Sequence, residues 1–178
     1  WELLQGDMGY SYISGIEASQ MVFSKLPATV ELAVASSIIA IGLSIPLGVI
    51  SATRRHEPAD YAATTFSLVG ISTPNFWLGI MLILLLSVQF GIFPTSGRAF
   101  GFAEAFQILI NQGPGPGANA MWQWLRHITL PAVTLGTYFT ALITRLTRSG
   151  MLEELGQSYV RATRAKGLPE SMVRYKHA

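Results

Sequence analysis

Chemistry in this chain has few groups to work with. His56, His127 and His177 lie far apart, and no two of them have metal-ligand spacing. There is no cysteine, which removes thiol nucleophiles, disulfides and cysteine metal sites. No paired carboxylates fall within an apolar run, and no GxxxxGK[ST] sequence is present to cradle a nucleotide phosphate. Proton transfer and nucleophilic attack need titratable partners within hydrogen-bond reach, and the apolar runs offer almost none. The reading is therefore a chain with no catalytic residue, no metal site, no cofactor and no ATP binding of its own.

Cations are the group that clusters. Arg145, Arg148, Arg161, Arg164, Lys166, Arg174 and Lys176 follow directly on an apolar run, and such a cluster beside a span marks the inner face of a membrane. Residues 153–166 read as a helix continuing out of that run. Gly167 fits a left-handed helix stop, and Pro169 can open a second short helix through Val173, Tyr175 and Lys176. On charge alone, this elbow needs nothing beyond contact with anionic lipid.

The elements that carry these groups read as an all-α, polytopic transmembrane bundle. Hydrophobic residues make up 50% and charged residues 12% of the chain, and mean hydropathy is positive. The apolar residues are grouped into runs long enough for a bilayer core of roughly 30 Å. Three spans are expected, at residues 29–53, 61–90 and 128–147. Pro27 stands at the start of the first and Pro46 should kink its inner half. Pro74 should bend or break the second, with Ser72, Thr73 and Asn75 re-satisfying freed backbone groups. Thr129, Thr134, Thr137, Thr140 and Thr144 give the third a hydroxylated face, for packing or for a wet path. Ser72, Asn75, Thr137 and Thr144 are the candidates for a translocation path. Glu31 reads as an interfacial, solvated carboxylate more readily than as a substrate contact.

Nine of the twelve Lys and Arg residues lie at 54–55 and 145–176, leaving Lys25, Arg98 and Arg126 opposite. That bias puts segment 1–26 and the loop 91–127 outside, with 54–60 and the tail inside. The domains expected are an external segment 1–26, transmembrane helices over 27–147 with the external loop 91–127, and a cytoplasmic segment 148–178. The loop holds the flexible run Gly113 to Gly117 and two tryptophans, Trp122 and Trp124, suited to an interface. A start at Trp1 without methionine and a stop at Ala178 inside a helical pattern read as an excerpt of a longer polypeptide.

The sequence ATRAKGLPESMVRYKHA resembles the cytoplasmic signature loop of permease subunits of bacterial ABC importers, whose ideal form is Glu-Ala-Ala, three residues, then Gly. Ala162 and Gly167 fit that form, while Arg161 stands in place of the glutamate and Thr163 in place of the last alanine. LRHITLPAVTLG with RLTRSGMLEELGQSYVRATRAKGL is similar to the dipeptide, oligopeptide, glutathione and nickel permeases. QGDMGYS, LPATVELAVAS, IPLGVISATRR and GISTPNFWLGI resemble the B-type subunit of that group. The likeness covers most of the chain and is weakest between residues 99 and 121.

That resemblance implies part of a type I ABC importer permease fold in a bacterial cytoplasmic membrane, without catalysis of its own, importing peptides or similar small solutes. It implies as partners a second permease subunit in a heterodimer, two cytoplasmic ATPases, an external solute-binding protein and membrane lipid. Nucleic acid is not expected. It also implies an ATPase-coupling elbow with Ala162 and Gly167 in the signature, a helix starting near Pro169, and Glu170, Met172, Val173, Arg174, Tyr175 and Lys176 as contacts. A non-transporting membrane scaffold or receptor-like subunit, recruiting a soluble partner through its basic tail, is the alternative.

Overall fold

The computed structural model describes residues 8–13, 15–170, 172 and 173. The described elements are helical: α1 (Ala18–Thr53), α2 (Pro58–Ser72), α3 (Asn75–Leu82) continuing as a π-helical segment (Ile83–Gln89), α4 (Phe102–Gln112), α5 (Pro114–Leu155) and α6 (Ser158–Ala165). The strand-like feature among them is an isolated bridge between Tyr10 and Glu17 ahead of α1.

Helix α1 begins well before residue 29, so Pro27 and Pro46 both lie inside a helix of 36 residues. A proline removes one donor from the ladder, and the bonds on either side carry the helix across it. Segment 91–127, expected to be a loop, holds α4 and the first turns of α5. Gly101 is extended, and its N–H is accepted by the Glu104 carboxylate at 2.8 Å, which closes the start of α4. Gly113, at φ 89°, turns the chain into α5. Pro114 and Pro116 then fall in a first turn whose N–H groups have no helical partner, so their missing donors cost α5 nothing. The helix expected over 153–166 is two helices, because α5 ends at Leu155 and Gln157 is extended at ψ 152° before α6.

The packing is inverted relative to a water-soluble protein. The buried faces carry small residues: Ser36, Ala40, Ser44 and Gly48 on α1, Ala132, Gly136, Thr140 and Thr144 on α5, and Ala63, Ser67 and Gly70 on α2. Ile38, Leu43, Leu68, Val69 and Leu84 point outward. Small faces let backbones approach where apolar side chains outside already have apolar surroundings, as between helices in lipid. A methyl on Gly48 would sit 2.6 Å from Cβ of Thr147, and one on Gly70 would sit 2.7 Å from Cβ of Ala141.

Among the described residues one helix, α1, is long and apolar enough to cross a membrane. The bent pair formed by α2 and α3 with its π-helical extension passes the same test together. The third expected span lies within α5, which has the length but is diluted by threonines and flanked by Arg126, His127 and Arg145.

Candidate functional site

Four features could do work in such a bundle: a break in one helix, a polar clamp at each end of the α1–α5 pair, and the elbow beyond α5.

The break lies at Thr73 and Pro74, where α2 and the helix beginning with α3 are bent by 102°. A residue before proline is pushed out of the helical region, and Thr73 sits at φ −83°, ψ 123°. Its N–H and its hydroxyl both donate to the carbonyl of Val69, at 2.9 and 2.7 Å, and so close the end of α2. Asn75 lies beyond the break and lines a largely apolar cavity of about 500 Å³, with Gly79, Thr95, His127 and Thr134. Ser72 is exposed at the end of α2.

The two threonine candidates lie elsewhere. Thr137 is half-buried on the face of α5 that approaches Gly70, and its hydroxyl donates to the Val133 carbonyl at 2.7 Å. Thr144 is buried between α1 and α5, where it donates to the Ser44 carbonyl at 3.4 Å and borders a smaller cavity of about 170 Å³. Thr129, Thr134 and Thr140 also turn their hydroxyls back onto carbonyls four residues earlier.

At the Ala18 end, Glu31 ties α1 to everything beside it. One carboxylate oxygen accepts from Arg98 Nη2 at 2.9 Å and from the Phe102 N–H at 3.0 Å, and the other from Trp124 Nε1 at 3.2 Å. Glu31 is thus a tether between α1, the start of α4 and α5, in place of the solvated carboxylate expected; its side chain is 18% exposed. The Phe102 ring packs edge-on against Trp124 at 5.2 Å, closing the same corner. Nearby, Arg126 Nε donates to the Ile92 carbonyl at 2.9 Å and fixes the segment after the π-helical turn to α5.

At the other end, Asp60 receives five donors. Oδ1 accepts from the Ser51 hydroxyl at 2.6 Å, Arg148 Nε at 2.8 Å and the Thr64 hydroxyl at 3.4 Å. Oδ2 accepts from Arg148 Nη2 at 3.0 Å and the His56 N–H at 3.1 Å. This one carboxylate joins the end of α1, the α1–α2 turn, the first turn of α2, and α5. His56 holds the turn at φ 67°, the one positive φ outside glycine among the described residues. No local signal in the sequence pointed to this cluster, because Ser51 and Arg148 are 97 residues apart and Asp60 reads as a loop residue.

The elbow hangs from the end of α5. Ala162 lies in α6, Gly167 turns at φ 79°, and the carbonyl of Pro169 accepts from the N–H groups of Met172 and Val173 at 2.9 and 3.1 Å. Val160 and Val173 are both fully buried, one on each arm. Arg164 Nε and Nη2 reach the two oxygens of Glu170 at 3.2 and 2.9 Å and brace the arms from outside. That hydrogen bond raises the Arg164 pKa. Tyr159 donates to Glu154 across the α5–α6 junction at 2.7 Å, which likewise holds its phenol above the ordinary range. Met172 remains exposed. Arg174, Tyr175 and Lys176 lie outside the described residues.

With this geometry in view, the chain can be set beside known proteins. The family described as "Binding-protein-dependent transport system inner membrane component" matches residues 44–178. The oligopeptide transport system permease protein AppB of Bacillus subtilis is 40% identical over 176 residues, which is 98% of this chain and 51% of that protein. The dipeptide transport system permease protein DppB of Escherichia coli K12 is 38% identical over 186 residues, covering 100% of this chain and 55% of the relative. A putative peptide transport system permease protein of Brucella suis is 34% identical over 178 residues, 100% of this chain and 52% of its own length. The chain therefore spans about half the length of the curated relatives it matches. An all-α bundle seamed by small residues, with this match across its second half and beyond, belongs to the family of binding-protein-dependent transport system inner membrane components.

Proposed function

We propose that the chain is part of a permease subunit that moves peptides or similar small solutes into a bacterial cell, with ATP hydrolysed by separate subunits. The observation that carries this reading is the braced elbow on the end of α5, in a chain whose relatives are named as peptide permeases. In this reading the chain crosses the cytoplasmic membrane three times, through α1, the broken α2–α3 pair and the middle of α5. The Arg54–Arg55 turn and the elbow face the cytoplasm. A second permease subunit completes the path, two ATPases dock from below, and a solute-binding protein delivers cargo from outside.

The elbow supplies coupling. Ala162 and Gly167 set the turn, Pro169 and Glu170 start the short helix, and Val173 buries its side chain. Met172 presents an exposed surface to the ATPase, and Arg174, Tyr175 and Lys176 are the further contacts that the resemblance implies. Closure of the ATPases would move this elbow and shift the bundle between two arrangements of access. For the path we propose the break, with Ser72 and Asn75 foremost because Asn75 opens onto the cavity of about 500 Å³; Thr137 and Thr144 shape the helix faces behind it.

The test is flux. Full-length protein, assembled with its second permease subunit, ATPases and binding protein in vesicles, should accumulate radiolabelled dialanine or tetraalanine only when ATP is present on the ATPase side. ATPase recruitment without accumulation of either peptide, or of larger peptides, would refute transport and leave a recruiting scaffold.

A further inference from the structure

The Asp60 cluster joins the moving end of the proposed machine to the rest of it. Arg148 lies two turns before the end of α5, which is followed at once by α6 and the elbow. Towards the elbow, Arg164 spans from Glu170 to the Leu155 carbonyl, at 2.9 and 3.5 Å. Towards the bundle, the same helix reaches α1 and α2 through Arg148, by one bidentate contact to Asp60 and one bond of 3.0 Å to the Ser51 hydroxyl. A continuous series of polar contacts thus runs from the elbow through the last turns of α5 into two further helices. Such a series transmits displacement only if its links are directional, and a planar guanidinium on a carboxylate is the most directional pair that side chains offer.

Three observations separate this pair from an ordinary surface ion pair. Asp60 is 3% exposed, so its charge has no bulk water to fall back on. Its acceptor positions are filled from four separate stretches of chain, so a shift in any one is felt by the others. The cavity of about 170 Å³ that touches Ser51, Thr64, Thr144 and Arg148 leaves space into which the guanidinium can swing, so the contact can open and re-form without repacking the helix seams.

We propose that Asp60 and Arg148 are a positioning pair for coupling, through which displacement of the elbow reaches α1 and α2. This rests on the permease reading above. Neither side chain touches solute or nucleotide; each acts by holding α5 in register with the α1–α2 turn.

The experiment uses the full-length protein in its assembled complex, in vesicles, with whichever of dialanine or tetraalanine the unsubstituted complex takes up. The readout is peptide accumulated per ATP hydrolysed, alongside the yield of intact complex. Asp60→Asn keeps the shape and removes the charge, whereas Arg148→Lys keeps the charge and removes the bidentate fit. Each should lower the ratio about tenfold or more, with hydrolysis continuing, the scale expected of a coupling interaction. The exchanged pair, Asp60→Arg with Arg148→Asp, should recover part of the loss. Ser51→Ala, which leaves the pair itself intact, should lower the ratio less than either. A ratio within twofold of the unsubstituted complex for both Asp60→Asn and Arg148→Lys would overturn the proposal. So would failure of every variant to assemble, which would make the pair part of the fold alone. If the unsubstituted complex shows no ATP-driven uptake, the permease reading fails instead, and that result is seen before any variant is compared.

Discussion

Replacing Gly70 with alanine adds one methyl where α2 meets α5, and the structure states what it would strike: Cβ of Ala141, 2.7 Å away. Two carbons need roughly 3.5–4.0 Å, so the helices must part by about 1 Å or the methyl must be accommodated by backbone shifts. Overpacking of this kind costs about 1–3 kcal/mol. Alanine in a helix is also favoured over glycine by about 1 kcal/mol, which opposes the clash and leaves a net loss between about 0 and 2 kcal/mol for the single change. The decisive quantity is therefore the double-mutant cycle. In Gly70→Ala with Ala141→Gly, the propensity terms add independently and cancel, leaving an interaction energy of about 1–3 kcal/mol in favour of the pair. Thermal or denaturant unfolding of the purified full-length protein in detergent, for the two single variants and the double, measures it. An interaction energy within about 0.5 kcal/mol of zero would mean that α2 and α5 do not approach as described, and the small-residue seam would lose its physical basis.

Other expectations follow from the same geometry. At Gly167 no atom lies within 4 Å of an added Cβ, so only the backbone resists substitution: Gly167→Val should abolish uptake and ATPase co-purification while Gly167→Asn largely retains both, and equal behaviour of the two would remove φ from the explanation. Glu31→Gln keeps an acceptor but loses the charge facing Arg98, so the Phe102 amide should exchange hydrogen faster while α2 amides do not change; unaltered protection at Phe102 would refute the tether. A cysteine at Gly115 should be labelled from outside intact cells and one at Glu57 should not, and the reverse pattern would invert the proposed orientation.

What could be read in advance was whatever is written locally. Arg54 and Arg55 close α1 as cations after an apolar run, and Pro74 announces the break because its constraint falls on its immediate neighbour Thr73. The length of α5 was hidden by Gly113 to Gly117, which reads as flexible when each proline is taken as a helix breaker; at the start of a helix the same prolines are tolerated. Helix α4 did carry a signal, with Glu104 three residues after Gly101, but eleven residues with few charges were overshadowed by the Gly-Pro run beside them. The clamps were not legible at all. Glu31 finds its partners 67 to 93 residues away, and nothing in a carboxylate's immediate surroundings says which distant donor will turn towards it. The threonines were legible as a face, yet the hydroxyls of Thr129, Thr134, Thr137 and Thr140 turn back onto their own helix, an option open to any threonine one turn from a carbonyl, and only that of Thr144 crosses to α1.

The inverted packing bears on how such a sequence can change over time. In a water-soluble protein the interior demands large apolar side chains of matched shape and the exterior accepts almost anything polar. Here the demands are exchanged. Ile38, Leu68 and Leu84 face outward, where a valine, leucine or phenylalanine would serve as well as the residue present, while Gly48, Gly70 and Gly136 occupy places where even one methyl meets a neighbour. Drift should accordingly run freely through the bulky residues within one chemical class and stall at the small ones. A catalogue of tolerated substitutions would trace the seams of this bundle as a line of immovable glycine, alanine and serine, drawn in negative against a surface that varies in size but never in polarity.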